Sequence, residues 1–224
     1  MGYLDERGRA LVAEAVAEAE ANTSGEIVTI LTDQSDHYND VAFMWSAGAS
    51  FAVMSLFALL PRPFLDLWDG LVAGWGHQWT TGELASMVIA LGLIAFFAML
   101  GAQQYQPLKL ALVPGALKTA RAHAAAIRLF KAGTEQRTVD HTGVLIYLSL
   151  ADHRAEIVAD TAIAEKVAPE VWGEAMGDML AEIRQGCIAE GLAAAVRDVG
   201  FVLAQHFPKP EGDKNQLPDD LIEL

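Results

Sequence analysis

The stretch Gly143–Asp160, GVLIYLSLADHRAEIVAD, predicts two adjacent β-strands joined by a tight turn. Its first eight residues are almost entirely apolar, which is typical of a strand buried on both faces of a sheet. Asp152 and His153 form the predicted turn, and Arg154–Ala159 is predicted to pair antiparallel with the preceding strand. We therefore place the centre of the fold at this pair of strands.

A further buried strand is predicted far upstream, at Glu26–Thr32 (EIVTILT), because the segment is β-branched and nearly all apolar. A crossover connects it to the strand that begins at Gly143, so the two strands should be parallel if they share a sheet. Amphipathic helices are predicted before the first strand and on both sides of the later pair. The predicted fold class is an α/β/α sandwich around a small mixed sheet.

Two uncharged apolar runs, Val41–Leu60 and Leu84–Ala102, interrupt this pattern. Each run is about as long as the ~20 apolar residues that a helix needs to cross a bilayer. We therefore expect a transmembrane hairpin over residues 41–103, with an aromatic loop at 61–83. The rest of the predicted organisation is an N-terminal helix and first strand in 1–40, the remainder of the domain in 104–207, and an extended or loosely docked tail in 208–224.

The hairpin contains residue types that are typical of contacts within a membrane. Small residues in the first run allow helix backbones to approach closely, and tryptophan is common at the level of the lipid headgroups. Thr80 to Glu83 resembles a capping box that opens the second run. The residues predicted to contact lipid or a membrane partner are Trp45, Ser46, Gly48, Ser50, Trp68, Trp75 and Trp79. The alternative is that the hairpin only anchors the domain and its small residues serve internal packing.

Charge and cysteine content restrict the partners. The 224 residues carry 15 basic and 29 acidic side chains, a net charge of −14. This balance disfavours nucleic acid, since phosphate binding requires clustered Lys and Arg, and it weakens attraction to anionic lipids. The single cysteine, Cys187, excludes an internal disulfide. The partners expected are therefore the lipid bilayer and an integral membrane protein complex.

The basic residues near the two runs predict the orientation. The N-terminal segment lacks the pattern of a signal peptide. The loop between the runs holds one basic residue, Arg62, whereas five basic residues flank the outer ends of the hairpin: Arg7, Arg9, Lys109, Lys118 and Arg121. Because basic residues favour the cytoplasmic side, both termini and the soluble domain are expected in the cytoplasm.

Gly143–Asp160 resembles the core signature of the TPM domain family, and the resemblance extends over about Leu11–Asp36 and Thr119–Pro208. It implies an α/β/α sandwich that is usually membrane-tethered on the non-cytoplasmic side. The hairpin inside the domain suggests a distinct branch in a bacterial inner membrane, with a periplasmic domain as the alternative orientation. The supporting motifs are Thr23–Val28, Ala124–Phe130, Ile183–Gly186, and the glycines Gly191 and Gly200 before Phe207 and Pro208.

Acidic residues at the strand ends are the candidate metal ligands. Asp33 and Asp36 follow the first strand, and Asp160 ends the third. Ligands of open α/β sheets favour the carboxyl ends of strands, and clusters of oxygen ligands suit Ca²⁺ or Mg²⁺. Asp33 and Asp36 are the best pair, and Asp160 joins them only if the third strand brings it to that edge. The alternative is ordinary turn chemistry.

The leading expectation is a non-catalytic accessory, assembly or repair factor of a bacterial inner-membrane complex, a role that the TPM resemblance also implies. The sequence contains no Gly-x-Ser-x-Gly elbow, no phosphate-cradling loop and no close pair of histidine ligands. The resemblance implies two alternatives. One is a metal-dependent acid phosphatase using Asp33, Asp36 and Asp160, and the other is a regulatory module that binds a divalent cation. No other cofactor is expected.

Overall fold

The computed structural model describes residues 2–73, 78–133, 142–210 and 220–224. The chain divides into two compact units. Unit 1 comprises Met1–Asp36 and Gly115–Leu224, and unit 2 comprises His37–Pro114. In chain order the elements are α1 (Glu6–Glu20), β1 (Glu26–Thr32), α2 (Asn39–Leu59), α3 (Pro61–Trp68), a π-helical turn (Asp69–Ala73), α4 (Thr81–Ala102), α5 (Gln106–Leu112), α6 (Gly115–Gly133), β2 (Gly143–Ser149), β3 (Arg154–Ala159), α7 (Thr161–Ala164), α8 (Pro169–Ile183), α9 (Ile188–His206) and β4 (Ile222–Glu223).

Unit 1 is built on a four-stranded sheet in the order β3-β2-β1-β4. β1 pairs parallel with β2 along its whole length, from Glu26 opposite Gly143 to Thr32 opposite Ser149. β3 runs antiparallel to β2, with Ser149 opposite Arg154 at the turn. The predicted strands and their relative directions are therefore confirmed.

Both faces of this sheet are covered by helices. Alternate residues of β1, such as Ile27 and Leu31, share one buried cluster with residues of α1, α8 and α9. The intervening residues Val28 and Ile30 pack against α6 in a second cluster, which includes Phe130. Because successive side chains of a strand point to opposite faces, a strand without polar alternation serves both layers. The α/β/α sandwich is confirmed.

The outer edge of β1 is closed by two separate contacts. The carboxylate of Glu20, at the end of α1, accepts a hydrogen bond of 2.7 Å from the backbone N–H of Ile27. Further along, β4 pairs parallel with β1, and Leu224 N donates to Leu31 O at 3.0 Å. Glu223 accepts from the backbone N–H of Tyr3 at 3.0 Å. An open strand edge is a template for unwanted pairing, and these contacts occupy it.

β4 is a correction to the sequence interpretation of the C-terminal segment. Residues 208–224 were expected to be extended or loosely docked, yet residues 222–223 complete the sheet. A strand of two residues has no local hydrophobic pattern, and its stability comes from partners that are distant in the sequence.

In unit 2 the helices α2 and α4 pack antiparallel. The ring of Phe43 stacks on that of Phe96 at a centroid distance of 6.5 Å. At the same end Gln103 Nε2 donates to Ala42 O at 3.1 Å. The predicted capping box at the start of α4 is confirmed, because Thr80 Oγ1 accepts from Glu83 N and Glu83 Oε2 accepts from Thr80 N.

Unit 2 is longer than the hairpin expected at 41–103. It begins at His37 and ends at Pro114, so it includes α5. The indole Nε1 of Trp45 donates a 3.0 Å hydrogen bond to Leu112 O, and Lys109 Nζ donates to Asn39 Oδ1 at 2.9 Å. These bonds connect the start of α2 with the segment after α4.

Candidate functional site

The carboxyl ends of β1 and β2 form one polar edge of the sheet. The loop after β1 and the turn after β2 meet there, because the two strands are parallel and in register. Leu150 N donates to Thr32 O at 3.0 Å, and Ala151 N donates to Asp33 O at 2.7 Å. The turn ends at His153, whose φ of 53° lies in the left-handed region and starts the reversal into β3.

Asp152 joins the two loops through its carboxylate. The residue is 1% exposed. Its Oδ2 accepts a hydrogen bond of 2.7 Å from the backbone N–H of Ser35 and one of 2.9 Å from Ser149 Oγ. Hydrogen bonds to a charged acceptor are stronger than neutral ones, and a buried carboxylate requires them. Asp152 therefore fixes the loop after β1 against the end of β2.

Tyr147 extends this network along β2. Its hydroxyl group donates to Ser35 Oγ at 2.9 Å, and the residue is buried. Burial raises the pKa of the Tyr147 phenol above its ordinary value, and the negative charge of Asp152 acts in the same direction. The hydrogen bond with Ser35 and the positive charge of Arg128 partly oppose this shift.

Two guanidinium groups lie at the same edge. Arg121 on α6 forms an ion pair of 2.9 Å with Asp36. Arg154, at the start of β3, donates from Nε to Thr119 Oγ1 at 2.8 Å and from its terminal nitrogens to His153 O and Gly115 O. The edge therefore carries positive as well as negative side chains.

The structure separates one of the predicted metal ligands from the other two. Asp33 and Asp36 lie in the loop at the carboxyl edge, whereas Asp160 lies at the opposite edge beside the start of β2, where its N–H donates to Gly143 O. The proposed grouping with Asp160 is wrong because β3 is antiparallel and returns the chain across the sheet. Asp160 instead caps α7, accepting from Thr161 N at 2.7 Å.

Within the described ranges, no three His, Cys, Asp or Glu side chains are grouped so as to hold a metal ion. The pair Asp33 and Asp36 thus stays a prediction. Chemically, the network at this edge can hold two loops in a fixed geometry and present Asp36 with its guanidinium partner to solvent.

The predicted contact residues of the hairpin fall into two groups. Ser46 is fully buried and lies within hydrogen-bond distance of Gln103 Nε2, and Ser50 approaches α4 at Gly92. These two serines therefore serve the internal seam of the hairpin, so they are not free for a partner. Trp45, Gly48 and Trp68 are exposed, Trp79 is half-buried, and Trp75 lies outside the described residues.

Tyr147, Ser149 and Asp152 were not predicted as site residues. Asp152 was interpreted only as a turn residue, which its position supports. The available signal was the spacing of Ser149 and Asp152, since a hydroxyl and a carboxylate three residues apart can bond within a turn. The contact with Ser35 carries no comparable signal, because it depends on the register of β1 with β2.

The architecture defines an α/β/α domain with a helical unit inserted between its two parallel strands. Residues 108–201 match the family model of the TPM domain, so the chain contains a TPM domain. The matched region begins in α5 and reaches into α9, so it includes β2, β3 and the Asp152 turn. No curated protein matches this chain.

The chain also resembles a solved structure, the NMR structure of BA42 protein from the psychrophilic bacterium Bizionia argentinensis. The TM-score is 0.57 at 17% sequence identity, and the alignment covers 99% of this chain and 96% of that one. At this identity the similarity concerns the fold alone.

Replacing Asp152 by alanine should destabilise unit 1 by about 3 kcal/mol, because the buried Ser35 N–H and Ser149 hydroxyl lose their charged acceptor. The matched control is Asp33→Ala at the same edge, where only the backbone oxygen makes a printed contact; we expect a change within about 0.5 kcal/mol. Denaturant unfolding of the full chain in mild detergent measures both variants. Equal midpoints would contradict the role assigned to Asp152.

Tyr147 should make the stability depend on alkaline pH. Its pKa is raised in the folded protein, so the unfolded chain ionises first. The resulting stability is fully present below about pH 10 and is lost as the pH rises through the folded pKa. Tyr147→Phe should therefore unfold less steeply with alkali, although it loses about 1 kcal/mol at neutral pH with the bond to Ser35. Tyr105→Phe, at an exposed tyrosine, is the control. Parallel pH profiles for Tyr147→Phe and the unmodified chain would contradict this prediction.

Proposed function

We propose that this TPM-domain protein is anchored in a bacterial inner membrane by α2 and α4 and serves there as an accessory, assembly or repair factor of a membrane protein complex. The observation that carries the proposal is the exposed apolar surface of these two helices. Both are long and apolar enough to cross a membrane, and only 22% of the apolar window of α2 and 6% of that of α4 is buried. The core helix of a soluble domain would instead be mostly covered.

The uncovered side chains are large. Phe51, Ile94 and Phe97 are 69%, 64% and 63% exposed. Apolar surface in water costs about 25 cal/mol for each Å², and contiguous apolar surface of this kind marks a membrane or protein interface. A bilayer covers such a surface on all sides of a helical hairpin, which supports membrane anchoring over a single docking contact.

The position of the hairpin in the chain supports a role beside a membrane neighbour. The chain leaves unit 1 at Asp36, just after β1, and returns at Gly115, which accepts a hydrogen bond from Arg154 at the start of β3. Both connections therefore start from the carboxyl edge, the edge that Asp152 organises. A domain attached at two points of one edge has less freedom to diffuse towards a remote substrate than one on a single linker.

The sequence-based alternatives are narrower than before. A metal-dependent phosphatase or a cation-responsive module at this edge would have to use Asp33 and Asp36, since Asp160 lies at the other edge. The ion pair of Asp36 with Arg121 also engages one of these two carboxylates. The accessory role needs no such site and is the proposal that we retain.

Membrane sidedness can be tested with Cys187, the single cysteine, which is partly exposed. The basic residues flanking the hairpin predict a cytoplasmic domain. A membrane-impermeant maleimide should then label Cys187 in inside-out vesicles and leave it unlabelled in intact spheroplasts. Cys187→Ser is the control for background labelling. Labelling in spheroplasts would contradict the cytoplasmic placement and favour the periplasmic one, and recovery of the chain in the soluble fraction would refute anchoring.

The accessory role predicts a stable neighbour that contacts the open face of the hairpin. Gly48 and Gly101 are matched positions, since a Cβ added to either meets nothing within 4 Å. If the small residues of α2 form the contact, Gly48→Phe should release a partner that co-purifies in mild detergent, whereas Gly101→Phe should retain it. Quantitative mass spectrometry of the two preparations measures the difference. Recovery of a lone monomer from the unmodified chain would contradict the proposed role.

A further inference from the structure

Unit 2 contains a cavity of about 740 Å³ between α3 and α4. Its volume lies in the range of small-molecule sites, which are concave and mostly apolar with a few polar groups. Phe64, Leu67 and Trp68 form the wall on α3, and Met87, Leu91 and Ile94 form the wall on α4. The ring of Phe64 is held by Phe57 of α2 at a centroid distance of 5.6 Å. We call this cavity the α3–α4 slot.

The slot is polar at one end only. Thr80 and Glu83, at the start of α4, line it beside Trp79, whereas the lining residues further along α4 are small or apolar up to Ile94. Leu67 and Ile94 in its walls are 63% and 64% exposed, so the slot is continuous with the uncovered apolar surface of the hairpin. This gradient suits a ligand with a polar head and a long apolar tail.

The charges around the polar end select the head. Between residues 61 and 83 the sequence has three carboxylates, Asp66, Asp69 and Glu83, against the single guanidinium of Arg62. Asp69 follows the lining residue Trp68, and its Oδ1 is buried without a hydrogen-bond partner among the described residues. The Glu83 carboxylate takes the place where a phosphate would bind the start of α4, since it accepts from Thr80 N at 2.8 Å. An ammonium head complements this set of charges, and an anionic head does not.

We propose that the α3–α4 slot binds the acyl chain of a membrane phospholipid whose headgroup carries a primary amine. The inference rests on the proposed membrane anchoring, because only a chain inserted in a bilayer meets such a lipid at this depth. The apolar walls enclose the tail, and the carboxylates near Thr80 attract the ammonium group. The bound lipid would cover apolar side chains of α3 that no described residue covers.

The test compares two alanines of α4. Ala90 lines the slot, and Ala98 is an exposed residue of the same helix that does not. Full-length protein is reconstituted in vesicles of equimolar phosphatidylethanolamine and phosphatidylglycerol, floated, extracted in mild detergent and examined by native mass spectrometry. The unmodified chain and Ala98→Phe should each retain one phosphatidylethanolamine, and Ala90→Phe should lose it because the added ring fills the slot.

A second variant tests the choice of headgroup without filling the slot. Glu83→Gln keeps the acceptor of the capping box and removes its charge. It should reduce the preference for phosphatidylethanolamine over phosphatidylglycerol by about threefold, which is the size expected of one exposed charge pair. This measurement stays decisive if Ala90→Phe fails to fold, as judged by circular dichroism.

The outcomes separate the two proposals. A chain that does not float with the vesicles refutes membrane anchoring and the lipid site together. A chain that floats yet retains no lipid, retains both lipids equally, or keeps phosphatidylethanolamine in Ala90→Phe overturns the lipid site alone. A protein chain that is held by the unmodified protein and lost from Ala90→Phe would also overturn it, because the occupant would then be a partner helix.

Discussion

The parallel pairing of β1 with β2 is the constraint on which the rest of the structure depends. Residues 33–142 separate the two strands, and closing such a long connection costs conformational entropy before any contact is gained. The pairing is stabilised because both strands are buried on both faces between α6 on one side and α1, α8 and α9 on the other. In-register pairing also brings the loop after β1 to the turn after β2, so the Asp152 network exists only when the sheet is complete.

The two units solve different solvation problems with one chain. Unit 1 buries its apolar residues in two layers and carries its polar network at a sheet edge. Unit 2 leaves most of its apolar surface outside and places a few polar side chains, such as Gln103 and Ser46, in the seam between α2 and α4. Hydrogen bonds in that seam satisfy groups that a bilayer would leave unsolvated. The reversal of inside and outside between the units is the physical basis for the membrane proposal.

Local signals predicted most of the fold. The strands Glu26–Thr32 and Gly143–Ser149 are dense in β-branched and apolar residues, and the capping box at Thr80 is a motif of four consecutive residues. The site was predicted less well, because its contacts are non-local. Asp160 was placed with Asp33 until the antiparallel direction of β3 put it at the other edge.

The remaining errors have the same physical origin. Ser46 was expected to be available to a partner, but the rotation of α2 that directs it to Gln103 is set by the packing of two helices. β4 has only two residues, and Glu223 is held by N–H groups of the N-terminal segment. A single sequence contains no signal for contacts that depend on how distant segments meet.

The contact between Glu20 and Ile27 has a consequence for biosynthesis. At about 5–20 residues per second, a ribosome needs on the order of ten seconds to synthesise the chain between β1 and β2. During that interval β1 is an apolar strand without its sheet partner, a state that favours aggregation. Glu20 lies in the segment made just before β1, and its carboxylate binds the Ile27 N–H within that same segment. The nascent strand therefore receives a charged guard on one edge as soon as α1 has formed.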